Sequence, residues 1–387
     1  MRHTKGLNTA VFILLGLGAV LGCHEAPGNA VTQPHSVPFK VHLITDGLEH
    51  PWSMAFLPAG DILVSERPGR LRIVRDGTLL PEPVAGLPPI AAIGQGGLLD
   101  ICLHPDYAHN GWIYFAYVAA GKGGVGTEVG RARLVGNHLE SWQTLFRRQP
   151  KSAADHHFGS RLVFDRDGYL YISVGEHGKR ERAQDLGDHA GSVIRLYDDG
   201  RVPADNPFVG RAGVRPEIFT YGHRNPQGMA LNPQTGRVWL HEHGPQGGDE
   251  INILRKGANY GWPVITYGRE YVSGFSIGEG TAKPGMEQPI YYWDPSIAPS
   301  GMAFYQGDKF PAWRGDLLVG ALKYQLLAHL LLDGERVVKE ERYLVKQLGR
   351  IRDVRSAPDG YIYLLTDANN GQLVRLEPVE QSDRAGE

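Results

Sequence analysis

The chain has 387 residues, with 40 Lys and Arg against 42 Asp and Glu, a formal net charge of −2. That balance argues against a nucleic-acid-binding surface, because neutralising phosphates normally leaves a clear basic excess. Hydrophobic residues at 42% and charged residues at 21% exclude a disordered chain, while Gly (51) and Pro (26) make up about a fifth of it and suit an all-β protein rich in turns.

At the N-terminus, Arg2 and Lys5 precede the apolar run Val11–Gly22, and no acidic residue appears before Glu25. About a dozen apolar residues are too few for the roughly 20 that span a bilayer, so residues 1–22 read as a secretory signal peptide. Val20-Leu21-Gly22-Cys23 resembles a bacterial lipobox, in which the cysteine becomes a lipidated N-terminus. The expectation is an exported, periplasmic protein anchored by lipid at Cys23, at the outer membrane because His24 rather than an aspartate follows. Ordinary cleavage near Gly22, with Cys23 left as a chance thiol, is the alternative. Residues 23–39 then read as a flexible tether rich in Pro, Gly and small polar residues. Residues 379–387 read as a polar tail. The other cysteine, Cys102, lies in the apolar run Leu98–Leu103 and is expected to be buried, so no disulfide framework exists.

From 40 to 378 one phrase recurs: a small apolar group, a turn with Pro, Asp or Gly, then alternating apolar residues. The copies are Ala55–Val64, Leu103–Tyr114, Val163–Ile172, Leu231–Leu240, a stretched Met302–Val319, and Ala357–Leu364. Each is a hairpin signal. Their glycines, Gly60, Gly111, Gly168, Gly236, Gly315 and Gly360, recur at the long, insertion-stretched period expected of propeller blades. Amphipathic helix patterns are almost absent, which weighs against an α/β barrel. A pair of β-sandwiches would not account for six similar hairpins. The expected fold is all-β, a single six-bladed β-propeller over residues 40–378.

Just outside the hairpins lie segments with unusual polar residues. They are Gly94–Gly97, Asp155–Gly159, Tyr221–Gly228, His241–Glu250, Gly320–Lys323 and Arg350–Asp353. Gln95 between glycines could be a plain turn residue, and His156-His157 a surface pair. His241 and His243 alternate as strand residues sharing a face would, but no third zinc ligand follows at a recognisable spacing. Gly244–Glu250 offers backbone carbonyls with Asp249 and Glu250, hard oxygen ligands suited to Ca²⁺; an exposed acidic turn is an equally good reading. Arg350 and Arg352 would share a strand face, but so would Arg70 and Arg72. No nicotinamide fingerprint is present, since no G-x-G-x-x-G follows a strand and opens a helix.

Taken in order, these segments resemble the soluble quinoprotein sugar dehydrogenases, in particular the bacterial aldose sugar dehydrogenases. The pieces that carry the likeness are Gly94–Leu98, His157–Leu162, Tyr221–Gly228, Glu242–Pro245, Glu250–Asn252, Asn259–Pro263 and Arg350–Asp353. The resemblance extends from about His50 to about Leu376 and implies a six-bladed propeller that binds pyrroloquinoline quinone (PQQ) and Ca²⁺. By matching position it implies that Gln95, Arg224, Asn225, Tyr271, Ala321, Leu322, Lys323, Arg350, Ile351 and Arg352 hold PQQ. His157 falls on the catalytic base and Glu176 on the carboxylate that orients it. Gly244 and Pro245 fall on carbonyl ligands of the active-site Ca²⁺, and Glu250 and Tyr260 on a second, structural site.

The chemistry is consistent. PQQ carries three carboxylates, which Lys323, Arg350 and Arg352 would neutralise, the arginine forks in bidentate fashion. The expected activity is oxidation of an aldose at its anomeric carbon to an aldonolactone, with electrons passed to an external acceptor. No haem-attachment C-x-x-C-H motif accompanies it. The alternatives are a Ca²⁺-dependent lactonase or esterase on a similar propeller, and a non-catalytic binding propeller.

Overall fold

A computed structural model describes residues 37–379. The signal peptide, the lipobox with Cys23, most of the tether and nearly all of the polar tail lie outside these residues. The described chain forms six four-stranded antiparallel sheets, and short helical turns are the only other regular elements. The innermost strands of blades 1 to 6 are Pro51–Phe56, Leu98–Leu103, Gly159–Phe164, Pro226–Leu231, Pro299–Phe304 and Ile351–Ser356. Each packs beside the next, and the sixth returns to the first, so they ring a central axis.

Closure comes from the N-terminal strand Phe39–Leu48. It pairs with Gly371–Pro378, with Phe39 opposite Pro378 and Leu48 opposite Gly371, and so becomes the outermost strand of blade 6. The propeller thus already begins at Phe39. Full pairing leaves no gap in the ring, where a free edge would invite aggregation.

All six repeat glycines sit in the turn from a blade's first strand to its second, each with positive φ between 67° and 99°. There an L side chain would strain the backbone. Apolar side chains from facing sheets fill the spaces between blades, as where Trp239 and Ile251 of blade 4 meet Phe304 and Leu317 of blade 5. Fully burying one such side chain stabilises the fold by roughly 1.5–3 kcal/mol. Cys102, expected to be buried, is only partly covered, against the core between blades 2 and 3.

Candidate active site

Antiparallel pairing puts the start of each innermost strand beside the end of the second. Pro51 faces Glu66, Gly159 faces Val174, Pro226 faces Glu242, Pro299 faces Ala321 and Ile351 faces Thr366. Segments that enter a first strand and turns that leave a second strand therefore share one end of the propeller, opposite the repeat glycines. Nearly every candidate residue comes from one of these two places. In all six blades the register slips just inside the first strand, a bulge that bends the strand and re-aims its first side chains.

At this end lies a cavity of ≈ 240 Å³ lined by Trp52, Arg67, Gln95, Phe158, Asn225, Gln227, His243, Leu322, Arg350 and Arg352, among others. Arg352 Nη2 donates to Asp367 Oδ2 at 2.8 Å and Nη1 to Gln227 Oε1 at 3.3 Å. Arg350 reaches the same carboxylate at 3.4 Å, and His50 Nδ1 meets its other oxygen at 2.7 Å. Burial works against the Asp367 charge, yet Arg352, His50 and Arg350 hold its carboxyl well below the usual range. The loop Gly94–Gly97 fits closely against its surroundings. A Cβ on Gly94 would overlap the Asp155 carbonyl, and one on Gly97 the Arg67 carbonyl. Cationic forks, side-chain amides and the Trp52 and Phe158 rings in the lining suit a flat polycarboxylate such as PQQ.

Beside the cavity stands His157. Its Nδ1 lies 2.7 Å from Glu176 Oε2, and that oxygen also accepts the Gly178 N–H at 3.1 Å. An ionised carboxylate can only accept, so Nδ1 carries the proton and Nε2 is left as the basic nitrogen. Burial lowers the His157 pKa; Glu176 opposes the shift and the Arg224 charge adds to it. The His157 backbone N–H donates to Gln95 Oε1 at 3.0 Å, tying the base to the glycine loop. His156 is a different case: its side chain is 42% exposed and paired with Asp155 at 3.1 Å.

Arg224 is buried beside them. Its backbone N–H donates to Glu242 Oε2 at 2.6 Å, and its Nη1 donates to the carbonyls of His243 and Gly244 at 3.1 and 2.9 Å. Asp249 is fully buried rather than an exposed acidic turn. Its carboxylate accepts the Gly244 N–H and the Ala298 N–H, each at 2.9 Å, and the Ser296 hydroxyl at 3.0 Å. Asp249 thus shapes the carbonyl-bearing loop and has little left for a metal. A second cavity of ≈ 10 Å³, lined by Arg224, Glu242, Gly244, Glu250 and Tyr260, has room for one ion or water. Burial and the neighbouring Glu242 carboxylate push Glu250 up to about 8. That donor set suits Ca²⁺. At Gly244 and Pro245 the protein offers neutral carbonyls, so most of the charge on a cation there would have to be met by the bound cofactor.

Several of the remaining candidates lie elsewhere. Ala321 and Ile351 are fully buried in the cores between blades, and only Leu322 of that group lines the cavity. Lys323 is exposed, its ammonium 5.7 Å from the Tyr324 ring. Tyr271 is 57% exposed on a loop whose Glu270 is clamped by Arg180. Sequence reasoning passed over Arg67 and Asp367, and it gave no site role to Gln227, Glu242 and His243, which lie inside segments it had singled out. Arg67 and Asp367 each follow a blade's second strand, as Lys323 does, and that shared position was the available signal.

A propeller whose loops bring together a carboxylate-oriented histidine, a buried arginine and an anion-binding cavity at one end has the layout of a cofactor-dependent enzyme rather than a scaffold. Residues 48–375 match the glucose/sorbosone dehydrogenase family, and the chain belongs to it. It is 48% identical to aldose sugar dehydrogenase YliI of Escherichia coli over 345 residues, 88% of this chain and 93% of that one. The crystal structure of the soluble aldose sugar dehydrogenase from Escherichia coli in the apo-form is similar at TM-score 0.86 and 48% identity, covering 88% of this chain and all of that one (100%). The PQQ-bound form of aldose sugar dehydrogenase from Streptomyces coelicolor is similar at TM-score 0.71 and 29% identity, over 88% and 98% of the two chains. The protein is an oxidoreductase acting on sugar CH–OH groups.

Proposed function

We propose that the protein is a PQQ- and Ca²⁺-dependent dehydrogenase that oxidises aldoses at the anomeric carbon to aldonolactones. The reading is carried by the His157–Glu176 pair, closed at 2.7 Å, beside a cavity walled by arginines. Arg350 and Arg352 would take the cofactor's carboxylates, Gln95 and Asn225 its polar edge, and the Gly244 and Pro245 carbonyls a Ca²⁺ ion. When bound, PQQ supplies a quinone that accepts two electrons as hydride. His157 Nε2 takes the proton of the anomeric hydroxyl while hydride leaves the same carbon, so the sugar loses two electrons and two hydrogens. Glu176 stabilises the imidazolium that forms and keeps the ring in one tautomer. Arg224, its backbone held by Glu242 and its Nη1 by the His243 and Gly244 carbonyls, would supply a positive charge to stabilise negative charge developing on the acceptor. The electrons then pass to an external acceptor.

The lactonase alternative needs Ca²⁺ held by carboxylates at the channel centre. There the carboxylates are Asp100 and Asp353, and both are spent on Arg161 and Arg355 at 2.8–3.1 Å. The test is to add PQQ and Ca²⁺ to cofactor-free protein. A quinone absorbance band that bleaches with aldose, together with dye reduction, is expected; neither signal with any aldose overturns the reading. Ca²⁺ removal by a chelator should abolish activity, and added Ca²⁺ should restore it.

We further propose export to the periplasm and lipid attachment at Cys23 to the outer membrane, from the N-terminal sequence alone. More than one acyl chain would be needed for stable anchoring. Cys23→Ser should release the protein from the membrane fraction or block its processing. A wild-type protein found wholly soluble in the periplasm would remove the anchor and leave the enzymatic reading intact.

A further inference from the structure

We propose that Arg67 is a cofactor-binding cation of this pocket, a guanidinium from blade 1 that pairs with a carboxylate of the bound quinone. This rests on the PQQ reading above.

Arg67 lies in the turn between Ile62–Glu66 and Arg70–Arg75 and lines the main cavity together with Arg350 and Arg352. Its neighbours on the hairpin are all engaged. Arg70 donates to Glu66 at 2.6 Å and to Glu49 at 2.8 Å. Arg72 reaches Glu66 at 3.5 Å and the Leu80 carbonyl at 2.8 Å. Arg75 is forked onto Asp61 at 2.6–3.2 Å. Arg67 alone of the four makes no side-chain hydrogen bond or ion pair among the described residues; only its backbone is tied down, donating to the His50 carbonyl at 3.0 Å.

A partly buried guanidinium beside two others is repelled by them and loses water without compensation, unless an anion sits between them. The repulsion is felt at Arg352, whose charge is disfavoured first by burial and then by Arg350 and Arg67. Asp367 is the carboxylate this wall holds, and Arg352, Arg350 and His50 already occupy it. The cavity is therefore cationic in excess, with one fork still free.

The glycine loop explains how Arg67 comes to be there. Gly97 has φ +156°, and a Cβ on it would overlap the Arg67 carbonyl and lie 2.9 Å from Arg67 Cγ. Any other residue at 97 would push Arg67 off its place. Lys323, expected from the resemblance to supply the third charge, is exposed and outside the lining.

The experiment titrates PQQ into cofactor-free protein with Ca²⁺ and follows quenching of tryptophan fluorescence, since Trp52 lines the cavity. Arg67→Gln should raise the Kd for PQQ by about 10–100-fold and flatten its dependence on salt. Arg67→Lys should restore part of the affinity, and Lys323→Gln should change it less than Arg67→Gln does. At saturating PQQ, kcat of Arg67→Gln should fall by less than its PQQ affinity does, because a carboxylate clamp binds ground and transition states alike. An unchanged Kd in Arg67→Gln, with a raised Kd in Arg352→Gln, would overturn the proposal alone. A wild-type protein that binds no PQQ would overturn the PQQ reading and this proposal with it.

Discussion

Two groups of arginines lie close together on the inner strands and loops, and they differ in what they are paired with. In the channel, Arg161 and Arg355 face Asp100 and Asp353. Arg161 Nη1 bridges the two carboxylates at 3.0 and 3.1 Å, and Arg355 contacts them at 3.0 and 2.8 Å. Asp100 also accepts the Leu162 N–H at 2.7 Å, and Asp353 the Met54 N–H at 3.2 Å. Four charges from blades 2, 3 and 6 thus cancel in a buried knot. Near it, Arg350 and Arg352 share a single carboxylate, Asp367, with His50, and Arg67 lines the same cavity with no carboxylate of its own among the described residues. Trp52 touches both groups, with Arg161 4.3 Å and Arg352 5.9 Å from its ring centroid. The charge of the first group is balanced within the protein, and the excess charge of the second is what the proposed anionic cofactor would pair with. Pairing, rather than the number of arginines, separates structure from function here.

Substitutions at the site should therefore register as chemistry or binding, and substitutions in the knot as stability. His157→Ala is expected to lower sugar oxidation by about 10²–10⁴-fold while PQQ binding and Tm stay near wild type. Near-normal turnover would break the assignment and turn attention to His156. Arg161→Met leaves Asp100 and Asp353 under-compensated in the interior. Unfolding in denaturant should show a loss of about 3–5 kcal/mol, with kcat of the remaining folded, PQQ-loaded enzyme changed far less. Should PQQ affinity collapse while stability holds, the knot belongs to the site. Arg352→Ala should cost about 2–5 kcal/mol of PQQ affinity and leave the fully loaded enzyme comparatively fast. Unchanged affinity in a titration would contradict an anion-seeking wall.

The hairpin repeats were legible because each carries a glycine at positive φ between alternating strands, a requirement that local sequence states directly. The entry segments were legible for a related reason. Gln95, His157, Arg224 and Arg350 each come one to three residues before an innermost strand, so finding the blades located them. The turns after second strands were harder. Arg67, Lys323 and Asp367 occupy that same place in blades 1, 5 and 6, yet Arg67 faces the cavity, Lys323 faces solvent and Asp367 is the shared counter-ion. Which way each side chain turns is set by packing against other blades, as Gly97 packs on Arg67. Tyr271 was obscure for another reason. It lies in the long insertion between Asp249–Ile253 and Tyr291–Trp293, where no blade pattern guides its placement. The pairings Arg70–Glu66 and Arg352–Asp367 span 4 and 15 residues, and only the folded chain distinguishes two R-x-R pairs that look alike in sequence.

The smallest expected effect concerns two histidines that the same burial treats differently. His157 has Glu176 to support its charge, and its pKa is lowered. His177 is fully buried, has no hydrogen-bond partner on either ring nitrogen among the described residues, and is pushed well below its ordinary 6.5, first by burial and then by Arg148 and Arg182. His189 is buried too, and its pKa is lowered chiefly by burial despite its contact with Glu217. Above pH 6.5 these rings are neutral in folded and unfolded chains alike and contribute no pH dependence. Below it the unfolded chain binds protons that the folded one refuses, so stability must fall as pH falls, by up to about 1.4 kcal/mol per unit for each such ring. The proposed mechanism needs neutral His157, whose pKa is also lowered, so the acid limb of kcat should likewise lie below 6.5. In Ca²⁺-loaded protein, where the cation would keep Glu250 ionised, thermal unfolding between pH 8 and 5 should show Tm steady at first and declining below about 6.5. His177→Gln should make that decline shallower while leaving the acid limb of kcat in place. A Tm that stays flat to pH 5 would mean the buried rings are protonated in the folded protein, and a kcat limb that moves with His177 would mean the two histidines titrate together.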